Sequence, residues 1–237
     1  MPFKHGRLAE IWLGGQDVST FFMNADLESV VDTAESTTFK SLWKSFLPGT
    51  VMAKLATNGY FDSTLTNVRA TLGVAAGSVV TFAPAGAVAI GDLTRSILVN
   101  STKYREGAKI GSLVTFDWDA DSTAVAAYGV CLHVMQQESP GTITGTGDGV
   151  MTSAQSTTGA IATLHVTAMT GGTQNFKLQD ATTQGGAYTD IAAGAFTAVT
   201  TVGAQRLVIP GTIRQFVRAQ AVIATNPVTY AITVART

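Results

Sequence analysis

The stretch "ESTTFKSLWKSFLPG", Glu35 to Gly49, decides how this chain is read. Phe39, Leu42, Trp43, Phe46 and Leu47 recur at i, i+3, i+4, i+7 and i+8, the spacing that places them on one face of a 3.6-residue helix. Lys40, Ser41 and Lys44 take the opposite face. Ser36, Thr37 or Thr38 can cap the start, because a hydroxyl there accepts from an otherwise orphan N–H. Pro48-Gly49 supplies a stop. The spacing therefore predicts a helix near 37–47 with Phe39, Leu42, Trp43, Phe46 and Leu47 as its docking face. A helix of about twelve residues is marginal alone in water. Burying the five side chains, at roughly 1.5–3 kcal/mol each, contributes on the order of 10 kcal/mol. The helix must dock, and the remainder of the chain offers it a sheet.

Outside this stretch the hydrophobic pattern has period two. "LAEIWLGGQDVSTFF" reads as strand, turn, strand, with Gly14-Gly15 supplying the positive φ of a tight hairpin. "NADLESVVDTA" continues as a strand, and "VMAKLATNGYFDST" carries an Asn58-Gly59 turn signal. "SILVNSTKYREGAKIGSLVTFDWDAD" reads as two strands about a turn at Arg105 to Gly107, and "VAAYGVCLHVMQQ" as another strand. The Gly/Ser/Thr-rich "ESPGTITGTGDGVMTSAQSTTG" marks a boundary. After it, "ATLHVTAMT", "NFKLQD", "QRLVIPGTIRQFVRAQAVIA" and "VTYAITVAR" alternate with turn-like segments, the rhythm of a sandwich or barrel. The reading is a mainly β chain: a β-sandwich or barrel with one short flanking helix, its two β-rich halves leaving open two related β domains. The halves are 1–140, with the helix near 37–47, and 159–237, joined by a linker loop at 141–158.

The 237 residues suffice for a substantial core. Hydrophobic residues make up 46%, which excludes disorder. Charged residues are only 13%, about half the usual share, so the surface is either rich in small polar residues or covered by neighbouring copies. The net charge of −1 does not suggest a polybasic surface for gripping nucleic acid. The N-terminal "MPFKHGRLAEIW" has no apolar core of a secretion signal. The uncharged run from Thr71 to Gly91 has the length of a membrane span, but Pro84, its hydroxyls and its Ala/Gly content favour two short strands about a turn at Pro84 to Gly86.

Chemistry-bearing motifs are few. Cys131 and His133 share one strand face, too few ligands for zinc; His5 and His165 stand apart from them. "GTGDG", Gly145 to Gly149, lacks the strand-then-helix setting of a phosphate loop. Asp117, Asp119 and Asp121 lie along one strand face, where a weak cation site or a carboxylate pair competes with a solvated strand end. Arg206, Arg214 and Arg218 lie near one another in sequence, and the last two share a strand face with Phe216. They can stack bases or form inter-subunit ion pairs, and the acidic balance favours the latter. Arg206, Arg214, Arg218, Asp117 and Asp119 are therefore candidate inter-subunit contacts. No catalytic, cofactor-binding or metal-binding set emerges, and the chain reads as non-enzymatic.

The segments "RLAEIWLGGQDVSTFF", "ADLESVVDTAESTTFKSLWKSFLPG" and "LATNGYFDST" resemble the major tail tube proteins of long-tailed bacteriophages with non-contractile tails. "LHVTAMTGGTQNFKLQDATTQGGAYTDIAAGAF" and "RQFVRAQAVI" are similar to their C-terminal half. The resemblance implies a structural virion protein whose copies form hexameric rings, or trimeric ones where each chain supplies two β domains. The rings stack into a hollow conduit for DNA ejection, and inner strands join across subunits into a continuous sheet around the lumen. The implied partners are further copies of the chain, the tail terminator, tape-measure and tail-tip proteins, and genomic DNA that passes without specific binding. The implied location is the virion tail, assembled in the host cytoplasm, with no membrane span and no cofactor. Thr50 to Asn58 or Pro140 to Thr158 would contact the next ring. The alternative reading is a capsid decoration protein or a carbohydrate-binding tail adhesin, for which Tyr188 and Tyr230 are the available C-terminal aromatics. A glycosidase using Asp117 and Asp119 is the weakest reading.

Overall fold

The computed structural model describes residues 8–35, 46–60, 72, 76–145 and 154–237. The chain is mainly β. Its strands in order are β1 (Glu10–Leu13), β2 (Gln16–Asp17), β3 (Phe22–Glu35), β4 (Phe46–Tyr60), β5 (Ser78–Ala83), β6 (Leu93–Gly107), β7 (Thr115–Ser122), β8 (Ala127–Glu138), β9 (Gly141–Thr144), β10 (Ala160–Met169), β11 (Asn175–Ala181), β12 (Thr189–Ala195), β13 (Gly203–Ile209), β14 (Phe216–Ile223) and β15 (Val228–Arg236). The Gly14-Gly15 hairpin forms as its dipeptide requires, with φ of 55° and 87° between β1 and β2.

The strands fall into two compact units, and each is assembled from discontinuous segments. The first comprises Met1–Thr20, Ser78–Ser96 and Ala127–Thr237; the second comprises Phe21–Gly77 and Ile97–Ala126. This replaces the division into 1–140 and 159–237. β8 pairs directly with β15 from Val130↔Val234 to Glu138↔Val228, so the chain on either side of 141–158 belongs to one sheet. The expected linker itself contributes β9, which pairs with β14. Local composition marked a loop there, but a strand of four residues needs only a partner edge to be recruited.

In the first unit one sheet runs β13-β10-β15-β8-β6-β5-β1-β2, with β6 contributing Leu93–Ser96. A second sheet runs β12-β11-β14-β9. Leu164, Tyr230, Ile232 and Val234 face Phe176, Leu178, Val217 and Ala221 across an apolar sandwich core. The other face of β10 and β15 carries small and polar residues. There the Thr81, Ser96, Thr163 and Thr233 hydroxyls link to one another, and His165 Nε2 lies 2.9 Å from Thr81 Oγ1. Trp12 fills the space beside them, its ring 5.8 Å from that of His165. This sheet curls on itself: β13 lies against β5 and β2 against β10. Gly15 has no side chain because a Cβ would sit 2.4 Å from Gly203 Cα.

Among the described residues the second unit is an antiparallel sheet of four strands in the order β3-β4-β7-β6. Its length corrects two expectations. Phe46 and Leu47 do not end a helix: they open β4, opposite Glu35 and Ala34 of β3, and Pro48 lies opposite Thr33. Two strands of 14 and 15 residues make a continuous ladder, and backbone pairing along it overrides the local 3.6-residue pattern at that end. Phe39, Leu42 and Trp43, and with them the body of the expected helix, lie outside the described residues. Asn58-Gly59 is likewise no turn. Both residues pair within β4, and Gly59 is needed because a Cβ there would stand 2.0 Å from the Phe21 carbonyl oxygen. The β6–β7 turn falls at 108–114, beyond the expected Arg105 to Gly107, with Gly111 at φ 80°. Pro84 does follow a strand end, but the strand after it starts only at Leu93.

Candidate functional site

The two faces of the second unit's sheet differ sharply. Ala53, Leu55, Phe116, Trp118 and Ala120 are buried on one face. Trp118 is fully enclosed and donates from Nε1 to Ser101 Oγ at 3.0 Å. Phe116 meets Phe22 edge-on at 5.5 Å and Tyr104 in a stacked pair at 6.2 Å. Period two then forces the alternate residues onto the other face. The registers set Asn24, Asn58, Asp117 and Arg105 in one row, and Asp26, Ala56, Asp119 and Lys103 in the next. Glu28, Lys54 and Asp121 form a third.

Five carboxylates and three cations thus occupy this open face in a chain with few charges of either kind. Their arrangement is ordered by strand. β3 carries Asp26 and Glu28, β4 carries Lys54, β7 carries Asp117, Asp119 and Asp121, and β6 carries Lys103 and Arg105. The sign alternates from strand to strand, so each cross-strand neighbour of a charge is opposite or neutral, the favourable case for directly opposed side chains. Lys103 donates to Asp119 at 3.1 Å. Two shallow depressions lie on this face, a polar one lined by Asn24, Asp26, Asn58, Lys103, Asp117 and Asp119, and a mixed one lined by Glu28, Lys54 and Asp121 with their neighbours.

β3 forms an edge of this sheet among the described residues. β3 pairs only with β4. β6 pairs with β7 along Val99–Gly107 and with β8 at Leu93–Ser96, and it also neighbours β5. An exposed row of N–H and C=O groups is a template for another strand.

The sequence-identified residues separate. Asp117 and Asp119 sit together on the open face of the second unit. Arg206 lies in β13, half-buried. Arg214 precedes β14 and does not share its face with Arg218; its guanidinium reaches Thr189 Oγ1 at 2.8 Å and Asp180 at 3.6 Å. Arg218, on β14, donates from Nε to Gln179 at 2.9 Å and lies over the Tyr188 ring at 4.2 Å. Tyr188 therefore has a guanidinium against its ring, where an adhesin reading would require an open stacking surface. Thr50 to Asn58, expected as a loop meeting the next ring, lies within β4. Sequence reasoning missed Asp26, Glu28, Lys54, Lys103 and Arg105. Their alternation within each strand was legible, but their common surface depends on strand order.

Three further titratable groups, Cys131, His133 and His165, are buried in the first unit. Burial pushes the Cys131 thiol up to about 12, and its Sγ lies 3.1 Å from the His133 carbonyl oxygen. Burial lowers His133 below its ordinary value, against the opposing pull of Glu138 at 3.2 Å. Complete burial holds His165 at about 3, so its imidazole is neutral. Among the described residues no group of three His, Cys, Asp or Glu side chains is placed to hold a metal ion. No helix among them is long and apolar enough to cross a membrane.

No protein-family model matches this chain, and no curated protein matches it. Among solved structures, it is similar to a chain of the virion of a native gene transfer agent particle, at 13% identity and a TM-score of 0.44, covering 53% of this chain and 98% of that one. It is similar to a chain of the anti-feeding prophage tube-terminating cap, at 10% identity and a TM-score of 0.43, covering 55% and 93%. It is also similar to the Dit protein of phage SPP1, described as a hub of the adsorption apparatus, at 9% identity and a TM-score of 0.37, covering 97% and 99%.

Proposed function

We propose that this chain is a structural virion protein, a subunit of a phage tail tube whose copies form rings and stack into a hollow conduit for DNA. The tail-tube resemblance of "RLAEIWLGGQDVSTFF" and "ADLESVVDTAESTTFKSLWKSFLPG" supports the reading. The observation that carries it is the sheet of the second unit. It has one apolar buried face, one charged open face, and an edge strand, β3, that pairs on one side only among the described residues. An element of this kind is completed by other copies of itself, and the low overall charge suits a surface largely given to such contacts.

The open face is the side this reading turns toward the lumen. Its carboxylates outnumber its cations, so a passing phosphate backbone meets repulsion on balance, and the polybasic grip that would hold DNA is missing from the described face. Asp117 and Asp119 then serve the lumen and the lateral contact. Arg214 and Arg218, occupied by Asp180, Gln179 and Tyr188, serve chiefly their own unit. Tail terminator, tape-measure and tail-tip proteins are the partners the reading implies, and the virion tail the location.

Negative-stain electron microscopy of the purified protein across a range of salt concentrations tests this. Rings or tubes with a central channel are the expected result. A species that stays monomeric at high protein concentration in every condition would refute it.

A further inference from the structure

The curled sheet of the first unit meets itself through side chains. Its strand order begins at β13 and ends at β2, and among the described residues no backbone pairing joins the β13–β10 end to β1, β2 or β5. What spans the interior is a cluster of hydroxyls from four strands. Thr81 of β5 and Ser96 of β6 reach Thr163 of β10 at 3.3 and 3.1 Å, and Ser96 reaches Thr233 of β15 at 3.2 Å. β10 and β5 are not neighbours in the strand order, so these bonds cross the interior instead of following a ladder. His165 of β10 completes the crossing, with Nε2 2.9 Å from Thr81 Oγ1 and its ring against that of Trp12 on β1. Every one of these side chains is buried.

The cluster fixes where the histidine keeps its proton. The contacts outnumber the hydrogens that the hydroxyls can donate, so there is room for Nε2 to donate to Thr81. Nδ1 has no hydrogen-bond partner among the described residues. A buried N–H without an acceptor costs more than a bare lone pair, so the proton belongs on Nε2 and Nδ1 stays bare. A second proton has only Nδ1 to go to, and no acceptor faces it there. Acceptors are scarce in this space, since Trp12 Nε1 lacks one as well. The Trp12 ring, tilted by 59°, does not replace one. The charged and titratable groups on the surrounding elements are Glu10 of β1, Asp17 of β2, Asp92 before β6, Cys131 of β8 and Arg206 of β13; the hydrogen bond of the imidazole is to Thr81. His133 is the contrast. It stacks on Tyr230 on the sandwich side, with the Tyr230 carbonyl oxygen 3.3 Å from Nδ1 and Glu138 3.2 Å from Nε2, so its protonated ring has an acceptor for each N–H.

We infer that His165 is a proton-released clasp: a proton on Nδ1 parts the β10–β13 end of the sheet from β1, β2 and β5, while the apolar core between the two sheets stays packed. A charged imidazole in a dry interior must be reached by water. The boundary without a backbone ladder is the one that opens at least cost. The clasp belongs to the first unit alone and stands apart from the proposed assembly.

Cys131 reports the opening. It is the single cysteine, buried with Trp12, Ala83 and Ala231 on this side of the sheet. A pyridyl disulfide, which reacts with thiols even in acid, labels it when it becomes exposed. From pH 7 to pH 4.5 the labelling rate, corrected with free cysteine, should rise by about tenfold or more. The ceiling is about a hundredfold, set by one proton taken up between about 3 and the ordinary 6.5. Over the same range amide exchange should quicken in β1, β2 and β13 and stay slow in β11 and β14. His165→Gln, checked as folded by circular dichroism, should lose most of the rise. The wild type also answers by itself, because nitrogen NMR at pH 7 should find the His165 proton on Nε2. A wild-type labelling rate that is flat with pH, a rise that comes only with loss of protection in β11 and β14, a folded variant that keeps the full response, or a proton on Nδ1 would each overturn the inference.

Discussion

Lys103 donates to Asp119 at 3.1 Å across the β6–β7 pair, with both side chains substantially exposed at 52% and 38%. This pair joins β6 to the middle of the second unit's charged face. A surface ion pair of this exposure contributes only about 0–1 kcal/mol to folding, because water and salt screen it.

Asp119→Asn should therefore leave the unfolding free energy of the isolated protein within about 1 kcal/mol of wild type. Urea denaturation of the unassembled species checks this. A loss well beyond that value would mean the open face is part of the folding core.

The opposite face should behave differently. Trp118 is wholly enclosed and fixed by its bond to Ser101 Oγ. Trp118→Ala should cost about 3–5 kcal/mol, from lost transfer energy and the cavity left behind. Trp118→Phe keeps most of the apolar volume but leaves Ser101 without its donor, so it should cost less. Urea midpoints of the two variants give the order, and equal losses would contradict the packing described.

His165 predicts a pH dependence. Burial holds its folded value at about 3, well below the ordinary 6.5, so below 6.5 the unfolded chain binds a proton that the folded chain refuses. Stability is complete above the ordinary value and is lost as the pH falls from about 6.5 toward 3. The greatest slope is about 1.4 kcal/mol per pH unit. His133, also lowered by burial, adds in the same direction. His165→Gln should lose stability at pH 7, because the site is tightly packed, yet show a shallower fall between pH 6.5 and 4.5. Unfolding curves at several pH values measure both effects, and an unchanged slope would contradict a neutral, buried imidazole.

The β class, the Gly14-Gly15 hairpin, β8 and the strand series after residue 159 were legible locally, since period-two alternation and paired glycines act over a few residues. The end of the expected helix was not. Phe46 and Leu47 satisfy a helical repeat as well as a strand, and the β3–β4 ladder decides between them. The Asn58-Gly59 signal failed for a related reason: glycine was required by the approach of the Phe21 carbonyl, which lies far away in sequence.

The sequence by itself determined that the chain is β-rich and poor in charge, because composition and short-range periodicity carry that information. It also determined that Asp117, Asp119 and Asp121 share one strand face, since alternate side chains of a strand point the same way. Only the tertiary structure decided that Asp26, Glu28, Lys54, Lys103 and Arg105 join them on one surface. Strand order and register are set by pairing between residues tens of positions apart, and the long-range closure that brings those strands together leaves no mark on the local pattern.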